Sequence, residues 1–468
     1  MIAKNTMTDA VIPIVDHFIE RKFCELPSEV VLATKKSILD VLGSCLAGTS
    51  AAGCRELVSQ VLYWGGVQES TIINDGVKVP APLAALANGT MCRAVDFDDV
   101  FEPGTVHASA SVVPAVLAAA ELIGGCDGRE FLIAVALGID VLCRMAVANC
   151  VPPGVSGMNA TFQCAYFACA GAVGRVLGLS RTEMIHSMGL AYTQTAGNSQ
   201  NLLEGTLATR LNQGLAAQGG VSAAIFARIG FTAAKDVFEG KFGYYPVYQR
   251  GEYDRNSLLD DLGRRYEGVN VTTKLYPCCM HTHATIDAIL AILRKSDVTA
   301  DKIAKIKVGI NQQALNFVCF PLERTRNPQT IPEAQFSLPY VAAVALIKAG
   351  VTLEDFTEEA LRNQAVFNLA SKVECKVDPE IEQEAGSKIT PAVVDVHTTT
   401  GGHFRVRVDE RKGSPANPVS FEAIADKFRQ CAAFAAKPIP PDNLSHLVGI
   451  VKELETCPSV VRIVELLK

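Results

Sequence analysis

The first half of the chain is a succession of helical patterns in which almost nothing alternates with a period of two. Over residues 8–229, apolar residues recur every three or four positions, the spacing of one face of an α-helix. The segment 79–93 is unusually rich in Ala and Gly, and such small residues let helix backbones approach closely. Helices that are apolar on most faces belong inside a large domain. We therefore predict a bundle of about six largely buried helices.

Caps and breaks set the bounds of these helices. Ser180-Arg181-Thr182-Glu183 is a capping box that begins one helix, and Gly178 ends the helix before it. The predicted helices cover residues 28–48, 79–93, 109–123, 129–147, 161–177, 181–193 and 211–229.

The pattern changes after Tyr266. Period-two alternation predicts strands with one solvent-facing side, and two helical segments lie between them. This combination is typical of a smaller α+β domain with an antiparallel sheet. The predicted strands are 303–310, 373–377, 393–397 and 404–408, and the helices are 282–293 and 333–348.

The end of the chain returns to helical patterns. A charged segment with a proline, residues 410–418, is predicted to be a linker, and helices are predicted at 421–435 and 444–467. We expect these helices to rejoin the first domain. The predicted fold is therefore mainly α: residues 1–268 and 412–468 form a discontinuous all-helical bundle domain, and residues 269–411 form the α+β domain.

Composition narrows the functional classes. A chain of 468 residues is too long for one ordinary hydrophobic core, so more than one domain is expected. The formal charge of −6 gives no electrostatic reason to expect nucleic acid as a partner. The 15 cysteines are odd in number and scattered through helical segments, which indicates reduced thiols in a cytoplasmic protein. No secretory signal is recognised, and the most apolar run, 131–143, is interrupted by Asp140. That run is shorter than the roughly 18 residues of a spanning helix, so no membrane span is expected.

A dense acidic stretch lies between two of the apolar helices. Asp96, Asp98 and Asp99 fall within four residues, and Glu102, a Pro-Gly break and His107 follow. One interpretation is an acidic helix end followed by a solvated loop. The other is that an aspartate orients His107, which transfers a proton. Spacing alone does not separate the two.

A second polar segment lies where the pattern changes. Lys274 is followed by Cys278, Cys279, His281 and His283, a set that invites a zinc interpretation. No second ligand pair at zinc-finger spacing exists elsewhere, so we predict no metal site. The favoured interpretation is an extended entry into a helix capped by Thr282, with polar groups directed toward a cleft between the domains. Lys274 is equally compatible with a solvated surface lysine.

Familiar cofactor and hydrolase motifs are absent from the sequence, including the dinucleotide fingerprint, the Walker loop and the Gly-x-Ser-x-Gly elbow. Two polar islands, 156–161 and 204–214, each precede a helix. They are compatible with simple caps and turns. A helix N-terminus is also where a carboxylate ligand is favoured by free amides and by the helix dipole.

The order and spacing of these segments resemble those of the MmgE/PrpD family, which includes 2-methylcitrate dehydratase, cis-aconitate decarboxylase and iminodisuccinate epimerase. This resemblance implies a discontinuous all-helical domain, a smaller α+β domain, a homodimer, a site between the domains, and no required metal or organic cofactor. The segments that carry it are 94–107, 109–121, 157–179, 210–214, 238–243, 274–287 and 334–340.

The family's chemistry is proton transfer next to a carboxylate of a small polycarboxylic acid. Carried over by position, the resemblance implies that His107 is the proton carrier, that Asp96 orients it, and that Lys274 pairs with a substrate carboxylate or an enolate-like intermediate. Arg210 and Tyr340 lie in family motifs and are expected to contact the substrate or support the dimer.

The departures from the family pattern concern titratable and cationic groups. Asn159 replaces a second histidine, Thr209 a lysine, Asn212 the histidine of the Arg-Leu-x-x-Gly turn, and Cys279 a histidine of the decarboxylase branch. The pocket should then carry less positive charge than one built for a tricarboxylate, and Cys279 or His281 becomes a candidate proton partner. The predicted substrate-binding positions are Asn159, Thr209, Arg210, Cys279, His281 and Tyr340.

Three functional hypotheses follow. The first is a cofactor-independent lyase resembling 2-methylcitrate dehydratase, a hydro-lyase of a small hydroxy- or polycarboxylic acid. The second is an epimerase, racemase or decarboxylase that uses the same carbanion. The third is a family member without catalysis, against which Asp96, His107 and Lys274 argue.

Overall fold

The computed structural model describes residues 8–385, 389 and 391–468, and it divides the chain into two compact units. The larger unit is mainly α-helical and the smaller one is α+β, as predicted. The unit boundaries fall after Val271 and Ser420 rather than after residues 268 and 411. The larger unit comprises Met1–Ala94, Asp98–Val271 and Phe421–Lys468, and the smaller comprises Val95–Phe97 and Thr272–Ser420.

Helices dominate the larger unit, and most of the predicted ones begin and end within a few residues of the prediction. Short strands accompany them: β1 (Ser70–Thr71), β2 (Lys78–Val79), β3 (Val100–Phe101) and, at the end of this part of the chain, β4 (Val271–Thr272). The helices are α1 (Val11–Glu20), α2 (Ser28–Gly48), α3 (Cys54–Trp64), α4 (Ala81–Arg93), α5 (Ser109–Leu122), α6 (Gly128–Ala148), α7 (Pro153–Ser156), α8 (Ala160–Val176), α9 (Arg181–Gln194), α10 (Gln200–Leu203), α11 (Ala208–Arg228), α12 (Tyr244–Tyr248) and α13 (Arg255–Leu259).

Small residues bring α8 and α11 into backbone contact. A Cβ atom on Gly220 would lie 2.3 Å from the Cβ of Cys169 and 2.9 Å from the backbone nitrogen of Ala170. Helix α11 approaches α4 as closely, since a Cβ on Gly89 would lie 3.0 Å from the Cα of Gly214. The Ala- and Gly-rich composition is therefore what allows these three helices to share one core.

Helices α5, α8 and α11 begin at the same end of the larger unit. The backbone N–H of His107, just before α5, donates to Oγ1 of Thr161 in the first turn of α8 at 3.3 Å. The Ser111 hydroxyl of α5 donates to the Gln213 carbonyl of α11 at 3.0 Å. The three N-terminal regions therefore meet, and α8 and α11 run in the same direction.

Helix α6 is longer than the apolar run found in the sequence. Within the described part of the chain, it is the one helix whose length and composition would suffice to cross a membrane. Nearly all of the apolar part of this helix is buried inside the protein, as is also found for the central helix of a protein core.

In the smaller unit, a four-stranded sheet is covered by helices. Its order is β6-β5-β7-β8, with antiparallel β5–β7 and β7–β8 pairs and a parallel β5–β6 pair. The prediction of an antiparallel sheet is thus wrong for one pair, because a helical crossover long enough for a parallel connection separates those two strands. The strands are β5 (Ile303–Ile310), β6 (Val373–Val377), β7 (Ala392–Thr398) and β8 (His403–Val408), and the helices are α14 (His283–Lys295), α15 (Gln312–Val318), α16 (Leu322–Arg326), α17 (Ile331–Gln335), α18 (Leu338–Lys348), α19 (Gln364–Ala370) and α20 (Pro379–Ala385).

Three local predictions in the smaller unit are corrected. The helix predicted over 333–348 is two helices, because Ser337 lies between them and caps α18 through the N–H of Tyr340 at 3.0 Å. Thr282 does not cap α14 with its side chain; its hydroxyl donates to the Cys279 carbonyl at 2.8 Å. The predicted linker at 410–418 contains the fully buried Arg411 and belongs to this unit.

The C-terminal segment Phe421–Lys468 belongs to the larger unit, which is therefore discontinuous in sequence, as predicted. The helix predicted at 421–435 is shorter, and the one predicted at 444–467 is divided in two. These helices are α21 (Phe421–Ala432), α22 (Pro441–Lys452) and α23 (Val461–Glu465).

Gly220→Ala should lower the free energy of unfolding by about 1–3 kcal/mol, because the new methyl group would overlap Cys169 and the backbone of Ala170. Gly449→Ala, in helix α22 with no atom within 4 Å of the new methyl, is the matched control and should raise stability by about 0.5–1 kcal/mol. Denaturant unfolding of both variants measures the difference. Equal effects would contradict the close α8–α11 packing.

Candidate functional site

A tight turn returns the chain so that His107 lies beside the acidic stretch. Phe101 and Val106 exchange backbone hydrogen bonds of 2.7 and 3.1 Å, and Thr105 closes the turn with a left-handed φ of 52°. The residue after Val106 is therefore directed back toward the residues before Phe101.

The carboxylate that this turn brings to His107 is that of Asp98. Nδ1 of His107 lies 2.9 Å from Oδ2 of Asp98, which is fully buried, and Nη1 of Arg93 lies 3.5 Å from the other oxygen. A carboxylate at Nδ1 favours a proton on that nitrogen, so the basic electron pair of the neutral imidazole lies on Nε2. The side chain of His107 is 15% exposed, so the ring sits at the edge of the buried region.

The structure places the carboxylate of Asp98 beside Nδ1 of His107, where the resemblance implied Asp96. Asp96 belongs to the smaller unit, whereas Asp98 and His107 both belong to the larger one. The sequence offered three aspartates within four residues, and only the backbone path of the turn shows which of them reaches the imidazole.

The third aspartate of the stretch, Asp99, is fully buried one residue further on. Its Oδ1 accepts a 3.1 Å hydrogen bond from the N–H of Ser109 at the start of α5. Burial, together with the negative charges of Asp40 and Asp98, raises the pKa of Asp99 to about 7. Asp40 is itself 2.6 Å from the buried ammonium of Lys427. Asp99 thus holds a proton up to near neutral pH, which limits the negative charge around Asp98.

In the smaller unit, Asp96 and Lys274 form a buried pair. The Lys274 ammonium lies 2.9 Å from Oδ2 of Asp96 and also donates to its backbone carbonyl at 2.9 Å. Asp96 has a left-handed φ of 52°, an uncommon conformation for a residue with a side chain. Lys274 is 1% exposed, so the interpretation as a solvated surface lysine is wrong.

The Cys and His side chains that follow Lys274 are buried as well. Burial and the charge of Arg411 lower the pKa of His281 to about 4, and its ring stacks on Phe317 with centroids 5.4 Å apart. Nε2 of His283 lies 3.2 Å from the Cys278 carbonyl, and burial lowers the pKa of His283 well below the usual value. Both imidazoles are therefore neutral at pH 7.

The remaining groups of this segment contact their own unit. The Cys279 N–H donates to the Gln335 carbonyl at 2.8 Å, and the sulfur of Cys278 lies 3.1 Å from the Thr282 hydroxyl. Among the residues that the structure describes, no group of three His, Cys, Asp or Glu side chains is arranged to hold a metal ion.

Three predicted substrate-binding residues lie at the starts of helices in the larger unit. Asn159 caps α8 by accepting from the N–H of Thr161 at 3.0 Å. Thr209 lies in the first turn of α11, where its hydroxyl is buried. The Arg210 guanidinium donates to the Ala52 carbonyl at 2.8 Å, which is a contact within the chain.

Tyr340 does not fit its predicted role in substrate contact or in a dimer. Its side chain is 1% exposed in the core of the smaller unit, and its hydroxyl donates to the Asp355 carbonyl at 2.7 Å. The ring packs near Phe356 and Phe367. The ring and hydroxyl of Tyr340 thus pack within the smaller unit.

Some polar residues of the site were not predicted. Asp98 and Arg93 lie near the predicted residues in sequence. The one sequence feature that pointed to them was the density of charged residues in this stretch. Gln213 lies one helical turn after Thr209 on the same face of α11, but this spacing alone does not show that its side chain is buried.

Comparison with known proteins covers both units. A model of the MmgE/PrpD N-terminal domain matches residues 14–256, and one of the MmgE/PrpD C-terminal domain matches residues 276–440. Human cis-aconitate decarboxylase is 28% identical over 93% of this chain and 89% of its own length. The cis-aconitate decarboxylase of Aspergillus terreus strain NIH 2624 is 25% identical over 95% of this chain and 92% of its own length. The 2-methylcitrate dehydratase of Salmonella typhimurium is 23% identical over 81% of both chains.

Asp99→Asn should change how stability depends on pH. Because the folded pKa of Asp99 is raised, the contribution of its protonated form to stability is fully present below the unfolded pKa of about 4 and is lost as pH rises through about 7. The amide mimics the protonated acid, so the variant should match the wild type at pH 4 and exceed it above pH 7 by on the order of 4 kcal/mol. Unfolding measured from pH 4 to 8 tests this. A difference independent of pH would show that Asp99 is ionised throughout.

Proposed function

This chain belongs to the MmgE/PrpD family, and on that premise we propose that it is a lyase that removes a proton next to a carboxylate of a small hydroxy- or polycarboxylic acid. The observation that carries the proposal is the 2.9 Å contact between His107 and Asp98. It supplies an oriented imidazole base, which this chemistry requires.

The first step is proton removal from carbon. A C–H bond beside a carboxylate is a weak acid, so the base must be positioned and its protonated form stabilised. Nε2 of His107 takes the proton, and the buried carboxylate of Asp98 stabilises the imidazolium that forms. Arg93 lies on the opposite oxygen of Asp98 and helps to fix its position.

The second requirement is stabilisation of the negative charge that develops on the substrate. The N-terminal regions of α5, α8 and α11 meet beside His107, and helix N-termini favour anions through their free N–H groups and dipoles. For Lys274 we keep the role that the resemblance implies, pairing with a substrate carboxylate or the enolate-like intermediate.

Dehydration completes the reaction in the favoured version. The electron pair left on carbon forms the double bond, the neighbouring C–O bond breaks, and the departing hydroxide takes a proton to leave as water. The imidazolium of His107 is a suitable donor of that proton. Asn159 and Thr209, neutral at positions where the resemblance leads us to expect a histidine and a lysine, support a substrate with less negative charge than a tricarboxylate.

Decarboxylation is the second candidate, and the names of several relatives favour it. Cis-aconitate decarboxylases from human and Aspergillus terreus align with nearly the whole chain. In that version a C–C bond breaks to release carbon dioxide, and His107 delivers a proton to the carbon that keeps the electron pair.

Assembly and location stay predictions from the sequence. We propose a cytoplasmic homodimer whose chemistry uses protein side chains rather than a bound cofactor, and sedimentation of the purified protein tests the dimer.

Proton NMR in deuterated water tests the function. The purified protein is incubated with hydroxy-, amino- and unsaturated di- and tricarboxylates, and we expect deuterium to enter next to a carboxylate in at least one of them. New vinylic signals from a saturated hydroxy acid identify dehydration, and the proton signals of a product with one carboxylate fewer identify decarboxylation. No exchange with any compound would contradict the proposal.

His107→Ala should abolish turnover, and Asp98→Asn should lower kcat by about 10³–10⁴-fold, because an amide at this position no longer holds the base in the productive tautomer. Steady-state kinetics of both variants measures the loss. His446→Ala and Asp426→Asn, at exposed positions on α22 and α21, are the controls and should keep wild-type rates. Activity within a few fold of wild type in Asp98→Asn would refute the assigned role.

A further inference from the structure

Gln213 is a buried polar side chain whose hydrogen-bonding groups are not used by the protein. It is 0% exposed, and within the described ranges neither its Oε1 nor its Nε2 has a hydrogen-bond partner. Gln163, also 0% exposed, is partly used: its Oε1 accepts from the Tyr244 hydroxyl at 3.5 Å, while its Nε2 has no partner among the described groups.

An amide left in this state is costly. Burying a polar group without a compensating hydrogen bond is unfavourable, and most buried polar side chains in proteins have at least one partner. A group that supplies both a donor and an acceptor would satisfy Gln213.

The two glutamines lie at matching positions of neighbouring helices. Helices α8 and α11 run in the same direction, and Gly220 packs against Ala170. Gln213 precedes Gly220 by seven residues, and Gln163 precedes Ala170 by seven. Both glutamines therefore lie two helical turns closer to the shared N-terminal end. Gln213 and the partly used Gln163 thus occupy the same level of the α8–α11 interface.

Other unused polar atoms lie on the same part of α11. Thr209 precedes Gln213 by four positions and Asn212 by three, so its side chain neighbours both of theirs near the start of the helix. Oγ1 of Thr209 and Nδ2 of Asn212 are buried and have no partner in the described part of the protein. An unsatisfied cluster at a helix N-terminus is the composition of a ligand site.

Hydrogen bonds link the helix that carries this cluster to the segment that carries the proposed proton carrier. Ser111 bonds the Gln213 carbonyl, and its helix α5 begins two residues after His107. The His107 N–H bonds Thr161, which is two residues before Gln163 in α8. Short paths through α5 and α8 therefore connect the backbone of His107 to the two glutamines.

The chemistry of the unused atoms identifies the ligand group. A carboxylate only accepts, so it would satisfy Nε2 of Gln213 and leave Oε1 without a donor. A hydroxyl group both donates and accepts, and it satisfies both atoms. We propose that Gln213, with Gln163 beside it, binds the hydroxyl group of a hydroxy-acid substrate.

This inference rests on the proposed function and specifies its substrate class. The hydroxyl bound by Gln213 is the one that leaves as water, and the departing oxygen keeps the same hydrogen bonds. An unsaturated acid without a hydroxyl leaves Oε1 unsatisfied, so such acids are poorer ligands of this site.

Isothermal titration with pairs of acids that differ only in the hydroxyl tests the inference. The probes are malate against succinate and citrate against tricarballylate. The wild type should bind the hydroxy member of at least one pair tighter by about tenfold or more. Gln213→Leu should reduce that preference to within about threefold. The control Gln218→Leu, five residues further along the same helix, should keep it.

Thermal unfolding separates this role from a structural one. Leucine has a similar size and removes an amide without protein partners, so Gln213→Leu should have an unchanged or higher Tm. The comparison of acids in the wild type stands whether or not this variant folds.

Two results would overturn the inference. One is a wild type without a hydroxyl preference in either pair, including undetectable binding of all four acids. The other is a preference that survives Gln213→Leu, which would assign the amide to an internal water. Wild-type proton exchange without hydroxyl preference would remove this inference alone, whereas the absence of exchange with every acid would remove the proposed function.

Discussion

The buried contact between Asp98 and His107 is the constraint on which the candidate site depends. A carboxylate without exposure to water is stable only beside a partner, and this one has the imidazole on one oxygen and Arg93 on the other. The neighbouring Asp99 avoids a second negative charge by holding its proton up to a pKa of about 7. The acidic stretch is therefore neither a solvated loop nor three equivalent aspartates. Each aspartate has a different partner, and the pKa of Asp99 is raised to about 7.

The different partners of these aspartates follow from the path of the backbone. The turn between Phe101 and Val106 returns His107 to Asp98, while Asp96 lies in the smaller unit with Lys274. The left-handed conformation of Asp96 is accompanied by two contacts with one ammonium group. Two aspartates only two positions apart thus belong to two separate pairs, one with Lys274 and one with His107.

Much of the fold was predictable because it depends on local periodicity. The strands β5 and β6 begin and end at the predicted residues, and the capping box at Ser180 is present with a 2.7 Å bond from its N–H to Glu183. The parallel β5–β6 pair was not predictable, since pairing depends on the path of the crossover. Tyr340 shows a related limit of prediction from sequence. Its place in a family motif led us to expect contact with the substrate or support of the dimer, whereas its hydroxyl donates to the Asp355 carbonyl in the core.

The residue types of the candidate site could be predicted from the sequence better than the contacts between those residues. His107 and Lys274 were identified, but the choice among Asp96, Asp98 and Asp99 needed the structure. Gln213 was missed because a glutamine in an Ala- and Gly-rich helix resembles a solvent-facing residue in sequence. Its importance appears only when burial is complete and its partners are counted.

The most direct test of the Asp98–His107 pair is nitrogen-15 NMR of histidine-labelled protein, with the His107 signals assigned by their loss in His107→Ala. We expect the neutral imidazole of His107 to carry its proton on Nδ1 and its electron pair on Nε2, and we expect Asp98→Asn to disturb this state. A proton on Nε2 in the wild type, or a tautomer unchanged by Asp98→Asn, would contradict the central role given to the Asp98–His107 contact.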